Sequence, residues 1–189
     1  MEMIEPSAPG YRSPAPAPPP PTSGDVATVV GSALRCAARV AVMILRHQLH
    51  RDPTRVGSQV RLPDGRTFRI FRETSSDAPA EGRPVTLAVR FHLRGVPSGS
   101  RLRRFLFERE SILNTVLFAG FSGYLVKLWM VDPESADYAG LYLWSGTDSA
   151  DRYARYITAA LRPLSIAGSV GYEIIDESDL NTFIVGAKV

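Results

Sequence analysis

Cysteine is almost missing from this chain. Cys36 stands alone among 189 residues, which excludes an internal disulfide and fits a reducing compartment. Lysine is nearly as scarce: Lys127 and Lys188 are the only lysines among 22 basic residues. That bias reads as genomic composition and not as a nucleic-acid footprint, because the net charge is only +3 and the arginines are interspersed with acids. No run approaches the roughly 18 uninterrupted apolar residues of a membrane-spanning helix. No charged segment leads into an apolar one at the start of the sequence, so a secretory signal is not expected, and the cytoplasm is the expected compartment. A glycine-rich phosphate loop, paired cysteines at metal-binding spacing and a His-Glu-x-x-His helix are missing as well. Residues 120–123 (Gly-Phe-Ser-Gly) fall short of a nucleophile elbow and precede a strand where an elbow would precede a helix. Asp176, Glu177 and Asp179 read as a solvated strand exit, not a calcium loop. The expectation is therefore a protein with no metal, no bound cofactor and no nucleic-acid partner.

What is present suffices for a folded domain, since 44% of the residues are hydrophobic. Residues 1–24 are a proline- and alanine-rich segment that prefers polyproline II and reads as a disordered tail. Residues 25–51 have the period of an amphipathic helix, with Val26, Val30, Leu34, Ala37, Ala41 and Ile44 on one arc and Arg35, Arg39 and Arg46 opposite. Two readings stand for it: packing on its own domain or a partner subunit, or lying on an anionic membrane as a peripheral contact. His47 and His50 near its end read as solvated. Residues 57–74 predict a small hairpin around Pro63-Asp64-Gly65, followed by a polar linker from Ser75 to Pro84, so that 25–83 form an N-terminal extension.

Residues 84–178 predict a continuous domain. Val85–Leu93 is a strand, and Ser98 or Ser100 caps a helix carrying Leu102, Phe105, Leu106, Ile112, Leu113, Val116 and Leu117. Residues 121–144 form a hairpin about Asp132, Pro133 and Glu134. Thr147 or Asp148 caps a second helix that carries Tyr153, Tyr156, Ile157, Ala160 and Leu161 inward and ends near Pro163, and Gly168–Ile175 is a last strand. Residues 179–189 are left as a C-terminal tail. This order predicts an α+β fold of the ferredoxin-like βαββαβ kind, with the N-terminal helix and hairpin as extensions. Helices on one side leave the other sheet face open, and a second copy would cover it, giving a homodimer.

The chemistry-bearing residues gather near the hairpin. Alternation puts Lys127 and Trp129 on one face of the first strand, and Tyr142 and Trp144 on one face of the second. Three large amphipathic aromatics and a lysine suit a flat organic molecule. His92 is the candidate acid/base, because histidine exchanges its proton near neutrality. Lys127, Arg90 or Asn114 would then stabilise the developing anion, with Tyr124, Trp129, Tyr142 and Trp144 lining the site. Each has a plainer reading: His92 and Arg90 as rim residues, the aromatics as core, Asn114 as a helix-end residue, and Lys127 as one side of an ion pair.

Gly123, Tyr124, Leu125, Lys127 and Trp129, then Gly140, Tyr142, Leu143 and Trp144, then Ser149, Ala150 and Tyr153 resemble the YdhR-type monooxygenase family, with Phe91 and Gly95 at the end of its first strand. The resemblance covers about half the chain, residues 84–178. It implies a dimeric α/β barrel with a pocket between sheet and helices. It also implies a cofactor-independent enzyme, monooxygenase-like or cyclase-like, acting on an aromatic or polyketide-type small molecule. The alternative is a non-catalytic dimeric module that binds a hydrophobic ligand, associated with a membrane through the N-terminal helix.

Overall fold

Runs in which β-branched and aromatic residues alternate with period two recur beyond His50, at residues 67–71, 85–91 and 124–131. A computed structural model of the protein describes residues 48–80, 82–94, 119–132, 134–135 and 137–186. Within them lie eight strands: β1 (Leu49–His50), β2 (Gln59–Arg61), β3 (Thr67–Ser76), β4 (Val85–Phe91), β5 (Tyr124–Val131), β6 (Tyr138–Trp144), β7 (Gly171–Ile175) and β8 (Ile184–Gly186). One α-helix, α1 (Thr147–Leu161), accompanies them. The strands make one antiparallel sheet in the order β7-β4-β6-β5-β3-β2-β8, with β1 on the far end of β3, curled into a half-barrel.

This corrects the expected fold class. The α+β, ferredoxin-like βαββαβ arrangement with an N-terminal helix and a hairpin appendage is not what the described residues form; they form a mostly antiparallel sheet of eight strands bearing a single helix. The hairpin is no appendage. β3 pairs with β5 from Arg69↔Val131 to Ser75↔Val126, across a bulge between Ile70 and Arg72. It also runs on to Ser76, through what read as the start of a linker. Leu49 and His50, expected to end the long helix, are extended and pair with Ser76 and Ser75. β8, in the expected C-terminal tail, pairs with β2. The proline-rich tail, residues 25–47 of the expected N-terminal helix, and the helix expected from Ser98 or Ser100 with Asn114 lie outside the described residues.

Local chemistry explains the turns. Gly65 adopts φ +83° between β2 and β3, a conformation glycine reaches at little cost, and its N–H donates to the Leu62 carbonyl at 2.9 Å. Between β5 and β6 the Asp132 carboxylate accepts from the Glu134 N–H at 2.9 Å and the Ser135 hydroxyl at 2.6 Å. Burial pushes the Asp132 pKa up, but these donors and Arg66 together hold it below the usual value.

α1 buries Ala150, Tyr153, Ala154, Ile157, Thr158 and Leu161, the three-and-four spacing of one helical face. Ala160, expected to point inward, is exposed. Gly146 takes the N-cap position in extended conformation, without a side-chain cap, so neither Thr147 nor Asp148 has the expected role. A 3-10 turn, Arg162–Leu164, with Pro163 in its first positions, follows the helix.

The helix lies against one sheet face, where Leu87, Val89, Tyr124, Trp129, Tyr142 and Trp144 form the first core cluster. The opposite face carries a second cluster. Ala88, Leu128, Met130, Ala139 and Leu141 meet Val60 of β2, Leu62 just beyond it, Phe68 and Ile70 of β3, and Leu180 from the C-terminal segment. The half-barrel thus buries both faces with its own chain, which removes the reason for covering an open face with a second copy.

Candidate functional site

Strand register decides which candidate residues can meet. Lys127 on β5 lies opposite Tyr142 on β6, and Tyr142 lies opposite Leu87 on β4. All three point toward α1, as does Trp129 two residues on. Arg90 falls in phase with Ala88, on the other face, and His92 follows it just past the end of β4. The sheet therefore separates the two expected partners: His92 and Arg90 are on one side, and Lys127, Trp129 and Tyr142 are on the other.

On its own side His92 joins an ion network at one end of the sheet. Its Nδ1 is 2.6 Å from Asp137 Oδ1, Arg66 bonds the other Asp137 oxygen at 3.2 Å, and Arg90 pairs with Asp64. These side chains come from the end of β4 and from two neighbouring turns, and they clasp the turns together. Asp137 was not singled out in the sequence, although its place at the end of the β5–β6 turn, level with the end of β4, is the signal that would have found it.

On the helix side Lys127 is 2% exposed. Its Nζ lies over the Trp129 ring, 3.1 Å from the centroid, and 4.7 Å from that of Tyr142. Arg72 of β3 approaches the same indole, with its Cζ at 6.0 Å. Burial, and then the positive charge of Arg72, hold the Lys127 amine well below the usual lysine pKa. The aromatic faces pull the other way. A cation–π contact in a dry site is worth about 2 kcal/mol, whereas burying an ammonium ion costs several kcal/mol even after the protein relaxes. Burial outweighs the ring contacts, so this amine loses its proton more readily than an ordinary lysine. That shifts its expected role: a lowered pKa raises the share of unprotonated amine, which can act as a base where a charged lysine would stabilise an anion.

The buried tyrosines keep their protons. Burial raises Tyr124, Tyr142 and Tyr153 above the normal phenol range. The Tyr153 hydroxyl donates to that of Tyr142 at 3.1 Å, and Tyr124 donates to the Thr74 carbonyl at 2.6 Å. Gly140 makes room for this arrangement, for a Cβ there would sit 2.6 Å from the Tyr142 ring. Trp144 and Tyr124 are core: Trp144 packs 4.9 Å from Tyr153 and 5.9 Å from Tyr124, ring to ring, beneath α1.

A small cleft remains beside the lysine. Lys127, Trp129 and Tyr142 from the sheet, Ile157 and Leu161 from α1, and Phe91 at the end of β4 line it. Its free volume is about 10 Å³, near the threshold for one water molecule. Phe91, stacked on Tyr138 at 5.7 Å, is the wall residue that reaches solvent and marks the way in. Ile157 and Leu161 read in the sequence only as the inward stripe of a helix.

A further ionisable group lies on the opposite face. Glu73, 3% exposed, pairs with Arg55, which also bonds Asn181 at 3.0 Å. Burial raises the Glu73 pKa, with Arg55 opposing, and its second carboxylate oxygen is buried without a hydrogen-bond partner. Asn114 lies outside the described residues. Among the described residues no group of three His, Cys, Asp or Glu side chains could hold a metal ion. No helix among them is long and apolar enough to cross a membrane.

No family model, no curated protein and no solved structure matches this chain. The resemblance to the YdhR-type family therefore rests on the residues quoted for it alone.

Proposed function

We propose that the chain is a small enzyme acting on an aromatic or polyketide-type molecule, with Lys127 as its base and no resident cofactor. One observation carries this reading: a fully buried amine of lowered basicity lies on the faces of Trp129 and Tyr142 and borders a cleft. An amine in such a place, unprotonated more readily than an ordinary lysine, removes a proton from a phenol or an activated methylene. The ammonium that forms then rests on two π faces, with the new anion as its counter-ion. Tyr142, protonated beside it, can donate to the oxygen that gains charge. The cleft at rest has room for no more than about one water molecule, so a ring-sized substrate must displace side chains, Phe91 first. His92 and Arg90 have no part in this reaction, because the sheet lies between them and the cleft.

Deuterium uptake into enolisable ketones, followed by proton NMR in heavy water, tests the assignment. The wild type and His92→Ala are expected to exchange the α-protons faster than buffer, and Lys127→Met to match buffer. Equal exchange by all three proteins would show that Lys127 is not the base.

A further inference from the structure

Lys127 combines features that a base alone does not need. It lies at the middle of a strand, walled by Trp129 and Tyr142, with Arg72 on the far part of the same indole. Burial together with a neighbouring cation is the setting in which a lysine amine becomes a nucleophile toward carbonyl carbon. The cleft that reaches it is lined by apolar and aromatic groups, which suits an uncharged carbonyl compound better than a carboxylate or a phosphate. The arginine bias sharpens the point: in a chain with only two lysines, the internal one occupies this position.

We propose that Lys127 condenses with a ketone of a 1,3-dicarbonyl segment, the repeating unit of an uncyclised polyketide. This rests on the reading of Lys127 as the base that borders the cleft, and it names the substrate class and the covalent step. The Nζ lone pair attacks the carbonyl carbon. The carbon–oxygen double bond opens to a carbinolamine, and loss of one water gives the imine. The proton on the carbon between the imine and the neighbouring carbonyl then moves to the imine nitrogen, which gives the enamine. The enamine carbon can attack a more distant carbonyl of the same molecule, forming a carbon–carbon bond, and the alkoxide takes up the proton released from the iminium nitrogen, which leaves the imine. Water finally hydrolyses the imine and returns the free amine. No oxidant or reductant is consumed, and the net change is an intramolecular aldol addition. Tyr142, held neutral by burial, is placed to hand a proton to the departing or newly formed oxygen.

Acetylacetone is the probe, incubated with the full chain at neutral pH. A vinylogous amide on an amine absorbs in the near ultraviolet, and intact mass with peptide mapping locates it. The expected result is one adduct, the mass of acetylacetone less one water, on Lys127 and not on Lys188. It should form at least roughly tenfold faster than on a free lysine derivative at pH 7, where an ordinary lysine is almost wholly protonated. Lys127→Met, folded by circular dichroism, should give none. Labelling of only Lys188 or the α-amine, or no labelling, overturns the proposal. A pH titration of the Lys127 ε-carbon shift separates the two levels. An uncharged Lys127 without an adduct overturns the nucleophile and leaves the base standing, and a Lys127 charged at pH 7 overturns both.

Discussion

At the scale of single residues, Lys127 couples the fold to pH with a definite sign. The unfolded chain binds a proton on this amine up to about pH 10.4, while the folded chain releases it at lower pH. Between those two values the folded state holds fewer protons than the unfolded one, so stability rises with pH and falls as pH drops through the window. The slope approaches about 1.4 kcal/mol per pH unit. Lys127→Met removes the amine and keeps much of its volume. Urea denaturation between pH 7 and pH 9 is expected to show the variant as the more stable protein, with a margin that widens as pH falls. Parallel curves for the two proteins would mean that Lys127 is charged when folded. Glu73 works in the opposite sense. Its raised pKa gives a contribution present in acid and lost as pH rises through the folded value.

At the scale of elements, the C-terminal segment is structural. Leu180, 3% exposed, belongs to the second core cluster, and Asn181 is tied to Arg55 and through it to Glu73. Leu180→Ala should therefore cost about 2–4 kcal/mol, the usual range for a buried leucine, as read from a shift of the thermal midpoint. An effect under about 0.5 kcal/mol, typical of a surface position, would return the segment to the status of a tail. These elements also show what the sequence could and could not reveal. β2, β4, the β5–β6 hairpin, α1 and β7 announce themselves through alternation, turn residues and helical period. β3 does so only as far as Phe71, because Arg72, Glu73 and Thr74 look like a strand leaving the core. They continue it because Arg72 stacks on Trp129 and Glu73 is paired with Arg55, and both contacts come from distant parts of the chain. β8 is three residues long, too short for any periodicity to register. In the candidate site, the neighbourhood of Lys127, Trp129 and Tyr142 was legible from alternation and the hairpin turn. The exclusion of His92 was not, since it depends on the register between β4 and β6, which a single strand's pattern does not contain.

At the scale of the whole molecule, the sheet curls so that Ile70, Leu128, Met130 and Leu141 are buried within one copy of the chain. Sedimentation at micromolar concentration is therefore expected to give a monomer, and a dimer that persists on dilution would point to an interface elsewhere, the outer edge of β7 being one candidate. There Tyr172 is exposed, with Leu164 and Ile166 nearby in the chain. The burial of Lys127 has one more consequence. A protease that cuts only after lysine has two sites in this chain, one next to the last residue and the other in the middle of β5, flanked by paired strands. Every trimming of loops and turns is invisible to such an enzyme. It cuts the protein in two only when the sheet itself comes apart, so the appearance of two large fragments is a clock for global opening, set by the position of a single residue.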